Sequence, residues 1–206
     1  NMTTLGEGGM LVVRNPEWAD IVPMLRHNGH RPYSVDRPDY WIPAMTDVTL
    51  PRLKGKALWP INCCLGEVSC ALGTQLLDRV DEMNAQRRAR ALVVIDALAD
   101  CPELVFHREA SLRHSYYLLA AHVQRGLRDR FIRRMAEQHG IQCVVQYYPL
   151  NRYPFYQDLG FGEAVVPSTD AFFDNMVSLP FSHLLTDVQI EQIIAATRET
   201  VEFLRR

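Results

Sequence analysis

Asn1-Met2-Thr3-Thr4-Leu5-Gly6-Glu7-Gly8-Gly9-Met10, running into Leu11-Val12-Val13, is the stretch from which the rest of the chain is read. Three glycines within four positions allow a tight backbone path and close approaches that a Cβ would block. The apolar, β-branched residues that follow predict a buried strand over Gly6–Val13. A bare Gly-x-Gly-Gly would mean no more than a turn ahead of a strand. The longer string is more specific.

Working outward, Asn15-Pro16-Glu17 reads as an N-cap, a proline at the first helical position and an acidic first turn. The helix it opens should carry Trp18, Ile21, Val22 and Leu25 inward and end near Asn28-Gly29, with Arg26 and His27 in its last turn. Pro23 should kink it or mark its boundary. From His30 to Pro60, prolines and aromatics predict a long loop, functional or packed over a site, with Lys54-Gly55-Lys56 on its surface. Between Leu65 and Leu98 a helical stripe recurs at Val68, Leu72, Leu76, Val80 and Met83, and Arg79, Asp81, Glu82, Arg87 and Arg88 supply the wet face. Unbroken, that helix runs about nine turns, enough to leave one domain and enter the next. Pro102 stops it.

Beyond Cys101 the pattern predicts strands at Leu104–Phe106, Ser115–Val123 and Ile141–Tyr147. Helices are expected over Arg125–Gln138, closed by His139-Gly140, over Ser168–Asn175 and over Thr186–Leu204. The last opens on Thr186-Asp187 and Glu191, which resemble capping chemistry. Asn151–Phe161 reads as an aromatic loop. This alternation makes a small α/β layer of strands covered by helices.

The 206 residues suffice for one large domain or two small ones. A net charge of −2 argues against nucleic acid or an anionic membrane as the main partner. No apolar run reaches the length of a membrane span, and no signal-peptide pattern is present. The five cysteines make no Cys-x-x-Cys pair and no zinc pattern, so no metal site is expected, and reduced thiols in a cytoplasmic protein fit best. A chain opening on Asn rather than Met is expected to have sequence ahead of it.

The opening string resembles the segment just after the cofactor-bearing lysine in the sugar and cyclitol aminotransferases of the DegT/DnrJ/StrS type, which use pyridoxal phosphate (PLP). There, Lys-Asn-x-Thr-Thr-x-Gly-Glu-Gly-Gly-Met is typical. Further stretches resemble the family in family order: Leu25-Arg26-His27-Asn28-Gly29, Asn62-Cys63-Cys64-Leu65-Gly66-Glu67, Ala71-Leu72-Gly73-Thr74-Gln75-Leu76 and Asp81-Glu82-Met83-Asn84-Ala85-Gln86-Arg87-Arg88. Arg128-Asp129, Gly140-Ile141, Gln146-Tyr147-Tyr148-Pro149, Leu179-Pro180 and Leu185-Thr186 complete the series. The resemblance covers essentially the whole chain but only the C-terminal part of the family's usual length. It implies an α/β fold of the aspartate aminotransferase kind, fold-type I. Residues 1–60 would end the large PLP-binding domain, residues 61–100 would form the interdomain helix, and residues 101–206 would form the small α/β domain.

The resemblance also implies the chemistry. PLP is an electron sink that takes nitrogen from an amino donor and passes it to a ketone. A lysine holds it as a Schiff base and shuttles the proton, and that lysine is expected immediately before Asn1. Lys54 and Lys56 flank a glycine in a loop and read as solvated instead. Asn62 is implied to reach across a homodimer interface to the PLP phosphate; a helix N-cap ahead of Leu65 is the competing structural reading. Cys64 replaces a family Arg, and Glu67 anchors the start of the helix. Gln146 and Asn151 stand where relatives often carry His. Tyr148, Asn151, Arg152 and Tyr153 are the substrate-binding candidates, against the alternative of a surface-packed loop; His27 and His30 could approach the site, against the alternative of helix-terminal histidines that are dipole-stabilised or solvated.

The implied reaction moves an amino group from glutamate or glutamine to a keto-sugar or ketocyclitol. The run Tyr148-Pro149-Leu150-Asn151-Arg152-Tyr153-Pro154 leans toward the cyclitol and antibiotic-biosynthesis branch. The rivals are a PLP/PMP-dependent sugar dehydratase on the same fold, with His in place of the lysine, and a non-catalytic relative or dimerisation fragment.

Overall fold

The computed structural model describes residues 8–30, 43–50, 55–108 and 114–206, and the chain divides into two compact units, Asn1–Asp78 and Arg79–Arg206. The segment Asn1–Glu7, the proline-aromatic run at 31–42 and Lys54 lie outside the described residues.

In the first unit, helix α1 spans Pro16–Arg26. It starts as predicted: the Glu17 N–H donates to the Asn15 side chain at 2.9 Å, and Pro16 occupies a position whose N–H no helix bond needs. Pro23 stays within the helix rather than ending it. The stop comes from Asn28 (φ 55°) and Gly29 (φ 78°), where the backbone turns left-handed and the Gly29 N–H returns to the Met24 carbonyl at 2.8 Å. Gly29 is obligatory here, because a Cβ would sit 2.0 Å from the Thr46 carbonyl oxygen. Ile21 is buried against Val48 and Leu50, with Trp18, Met24, Leu25 and Leu58 packed around them.

The stretch read as one long loop contains an antiparallel hairpin, β1 (Val48–Leu50) and β2 (Lys56–Leu58), so Lys56 is an exposed strand residue. Three-residue strands are too short for their period-2 pattern to register in sequence. The opening stretch, expected to form a strand to Val13, does not do so over Gly8–Val13. Met10, Leu11 and Val12 are exposed and no described neighbour pairs with their backbone, so β-forming side chains alone do not make a ladder. Helix α2 (Glu67–Leu77) follows, capped by Gly66 without a side-chain bond, and none of its residues is buried.

Helix α3 (Val80–Ala97) opens the second unit. The helix predicted from Leu65 to Leu98 is therefore two, interrupted where Arg79 leaves helical geometry at φ −107° and ψ 0°. Neither Pro nor Gly marks that break. Strands β3 (Leu104–Phe106), β4 (Leu119–Val123) and β5 (Met176–Leu179) form an antiparallel sheet in the order β3-β4-β5. Strand β5 was not predicted; its Met-Val-Ser-Leu run is buried on both faces and so shows no alternation. The expected Ile141–Tyr147 strand shrinks to a single bridge between Val144 and Ser178.

Helix α4 (Arg128–His139) ends on Gly140 at φ 64°, as predicted. The supposed Asn151–Phe161 loop is a chain of tight helical turns: a 3-10 turn at Leu150–Arg152, the single-turn α5 at Pro154–Tyr156 and a π turn at Gln157–Phe161. Helix α6 (Pro167–Asn175) and the closing helix α7 (Asp187–Leu204) complete the unit. The partner in the Thr186 capping box is Gln189, not Glu191. Leu119, Ala121 and Val123 of β4, with Val177 and Leu179 of β5, face one core with Phe131 and Met135 of α4 and Ile190, Ile193 and Val201 of α7. Ala120, His122 and Ser178 take the opposite sheet face, where Phe172 of α6 meets His122 edge-on at 4.7 Å.

Candidate functional site

Asn62 is positioned by a short ladder against the end of α1. Ile61 donates to the Leu25 carbonyl at 3.2 Å, Asn28 donates to Ile61 at 3.1 Å, and Cys63 donates to Arg26 at 2.9 Å, which sets Asn62 opposite His27. Its side-chain Oδ1 accepts the Cys64 N–H at 3.2 Å in an Asx turn. The cap of α2 is Gly66, so the competing N-cap reading of Asn62 does not hold. The turn uses only the carbonyl edge of the carboxamide. The NH2 edge has no partner among the described residues, and the side chain is exposed.

Beside this turn, a cavity of about 1080 Å³ is lined by Gly8–Leu11 of the opening stretch, by Val22 and Arg26 of α1, and by Trp59, Ile61 and Cys63. Its described lining contains a guanidinium and no carboxylate. An amide NH2 with no partner among the described residues, beside a cavity whose lining holds the Arg26 guanidinium and no carboxylate, is a donor set that fits one edge of a phosphate.

In the second unit the four substrate candidates are brought together, in two kinds of setting. The Arg152 guanidinium pairs with Asp170 and, at 3.4 Å, with Asp174, and it lies over the Phe173 ring at 5.3 Å. The hydrogen bond to Asp170 raises its pKa further, so the cation is permanent and tied to α6. Asn151 donates to the Ala164 carbonyl at 3.1 Å, closing the turns onto the start of α6. Tyr148 meets Tyr153 edge-on at 4.9 Å and Phe173 at 5.3 Å, and both tyrosines stay exposed. Arg152 and Asn151 thus fasten the segment, while Tyr148 and Tyr153 display aromatic surface.

Arg87 went unrecognised as a buried group. Assigned to the wet face of α3, it is 6% exposed. Its guanidinium donates to the carbonyls of Ser115 (3.3 Å), Tyr116 (2.8 Å) and Tyr117 (2.8 Å) and stacks over Phe181 at 5.0 Å. Burial lowers its pKa, the cost of holding a cation on neutral acceptors. The bonds also explain why the expected Ser115–Val123 strand starts only at Leu119. They engage carbonyls that a ladder would need, and Tyr116 is turned to φ 46° with its N–H on His114 Nδ1 at 3.0 Å. The signal was present: Met83, Arg87, Ala91, Val94 and Leu98 form one 3.6-period stripe, with an arginine inside it.

Among the described residues, no group of three or more His, Cys, Asp or Glu side chains is arranged to hold a metal, and no helix is long and apolar enough to cross a membrane.

Comparison with known proteins adds the family. Residues 1–198 match the DegT/DnrJ/EryC1/StrS aminotransferase family. The spore coat polysaccharide biosynthesis protein SpsC of Bacillus subtilis is 26% identical over 98% of this chain and 51% of its own length. The dTDP-3-amino-3,4,6-trideoxy-alpha-D-glucose transaminase of Micromonospora megalomicea is 27% identical over 95% of this chain and 48% of its own. The crystal structure of the aminotransferase TlmJ from Streptoalloteichus hindustanus superposes with a TM-score of 0.75 at 21% identity, over 99% of this chain and 50% of that one, which shows the fold. The chain spans about half the length of the curated relatives it matches.

Proposed function

The chain belongs to the DegT/DnrJ/EryC1/StrS aminotransferase family, whose cofactor is pyridoxal phosphate, and on that premise we propose that the protein transfers an amino group from glutamate or glutamine to a keto-sugar or ketocyclitol. Bound PLP supplies the electron sink for that exchange. The protein's own residues supply position. Asn62 donates its NH2 edge to a phosphate oxygen of the partner subunit's cofactor in a homodimer with shared sites. The lysine that bonds the cofactor directly precedes Asn1. Tyr148 and Tyr153 contact the acceptor's ring and hydroxyls, and Asn151 and Arg152 hold them in place. Residues 1–60 close the large domain and 101–206 form the small one; 61–100 connect them through α2 and α3, with α3 packed into the small domain's core. The exposed, unpaired Cys63, Cys64 and Cys70 suit a cytoplasmic setting.

The observation that carries this reading is the Asn62 carboxamide, fixed by its oxygen and, among the described residues, without a partner at its nitrogen. In the full-length protein, Asn62→Ala should weaken PLP retention about tenfold, the worth of one hydrogen bond to a charged group, while leaving the far-ultraviolet circular dichroism unchanged. Unchanged PLP retention rejects the phosphate role.

A further inference from the structure

Cys63 and Cys64 are consecutive, exposed, and directed at one acceptor: the Arg26 carbonyl oxygen lies 3.7 Å from Cys63 Sγ and 3.9 Å from Cys64 Sγ. In regular extended chain, neighbouring side chains point to opposite faces. Here the turn overrides that alternation, because the Cys63 N–H holds the same oxygen at 2.9 Å and the Cys64 N–H is held by Asn62 Oδ1 at 3.2 Å. Two thiols therefore share one small, accessible space.

We propose that Cys63 and Cys64 form a reactive dithiol that closes to a disulfide on exchange with a low-molecular-weight disulfide, and that closure loosens the cofactor phosphate through Asn62. One cysteine thiolate attacks the external disulfide and expels the first external thiolate, leaving a mixed disulfide. The second cysteine thiolate attacks the protein sulfur of that bond and expels the second. Both cysteine protons end on the expelled thiolates. The cysteines lose two electrons, and the external disulfide gains them. Consecutive Cα atoms stand about 3.8 Å apart across a trans peptide, closer than the usual ~4.4–6.8 Å span of a disulfide, so the closed form is readily reduced again.

Closure withdraws both S–H groups from the Arg26 carbonyl and rebuilds the Cys63–Cys64 peptide, whose N–H anchors the Asn62 carboxamide. This second half rests on the phosphate role proposed for Asn62. Linkage then requires the reverse effect as well: bound PLP should slow closure.

The test treats full-length protein with glutathione disulfide, alkylates the remaining thiols and maps cysteines by mass spectrometry, in wild type and in Cys70→Ser. The expected result is a peptide lacking two hydrogens, with Cys63 and Cys64 both unalkylated, in both proteins. Cys63→Ser and Cys64→Ser should each stop at a glutathione adduct on the remaining cysteine. Two separate adducts in wild type, or loss of the internal disulfide in Cys70→Ser, overturn the dithiol. PLP dissociation is then measured on oxidised and re-reduced protein beside Asn62→Ala. Weakening of about tenfold on oxidation, reversed by dithiothreitol, supports the coupling. If Asn62→Ala loosens PLP and oxidation does not, the coupling falls while the phosphate role stands. If neither loosens PLP, both fall, and the dithiol is judged on the mapping alone.

Discussion

Replacing Arg87 with Met removes the donor that holds three consecutive carbonyls while keeping an unbranched apolar stem over Phe181. The Tyr116 carbonyl, bonded at 2.8 Å, belongs to a residue 2% exposed and loses this charged donor. Loss of a buried hydrogen bond from a charged donor costs about 1.5–3 kcal/mol. The Ser115 and Tyr117 carbonyls are only partly buried and can recover water, so together they add about 1 kcal/mol, and the lost cation–π contact adds about 0.5–1 kcal/mol. Relief of the desolvation that lowers the Arg87 pKa works against this sum. The expected net loss is about 2–3 kcal/mol, or roughly 4–12 °C in Tm for a protein of this size. Urea unfolding followed by far-ultraviolet circular dichroism measures it. Trp18, Trp41 and Trp59 all precede Arg79 in the sequence, so circular dichroism rather than tryptophan fluorescence is the probe for the second unit. Arg87→Lys, with one ammonium and no fork, should fall between wild type and Met. A loss below about 0.5 kcal/mol in Arg87→Met would show that the three carbonyls are satisfied without the guanidinium.

Three further outcomes are expected. Gly29→Ala meets both a left-handed φ of 78° and the Thr46 carbonyl 2.0 Å away, so it should cost about 2 kcal/mol or more and shift the tryptophan-detected transition; an unshifted transition contradicts the obligatory glycine. Glu103, 6% exposed and held bidentately by Arg205 at 2.9 Å and 2.9 Å, has its pKa lowered chiefly by that hydrogen bond. Its stabilisation is therefore present above the ordinary glutamate value of 4.5 and lost as pH falls through the lower folded value. Glu103→Gln should flatten the acid side of the stability curve, and an unchanged slope there refutes the assignment. Tyr148→Phe should slow the half-reaction with the keto acceptor and spare the one with the amino donor; equal loss in both removes Tyr148 from the acceptor site.

Local chemistry was legible wherever a single residue type decides it. Asn15-Pro16-Glu17 announced α1, and Gly140 announced the end of α4. Thr186 announced α7, although the second half of its capping box was misplaced by two residues. Features set by distant partners were not legible. Strand β5 is hidden because burial on both faces erases alternation, and Gly8–Val13 looks like a strand because β-branched side chains do not report whether a neighbouring strand exists. At the candidate site, the family pattern pointed to Asn62, but only the fold shows which edge of its carboxamide is committed. For Arg152 the charge was legible but not its partners Asp170 and Asp174, which lie 18 and 22 residues further along the chain. The burial of Arg87 is hidden because a charged residue type suggests solvent, whereas its position within the apolar stripe decides its burial.

The most direct measurement of the central claim follows nitrogen. The full-length protein, loaded with PLP, is given isotope-labelled glutamate or amide-labelled glutamine together with a nucleotide-linked keto-sugar or a ketocyclitol, and the products are analysed by mass spectrometry. The account predicts that the label appears in an amino-sugar or aminocyclitol. An acceptor that loses water and gains no label, or a protein that retains no PLP, would contradict it.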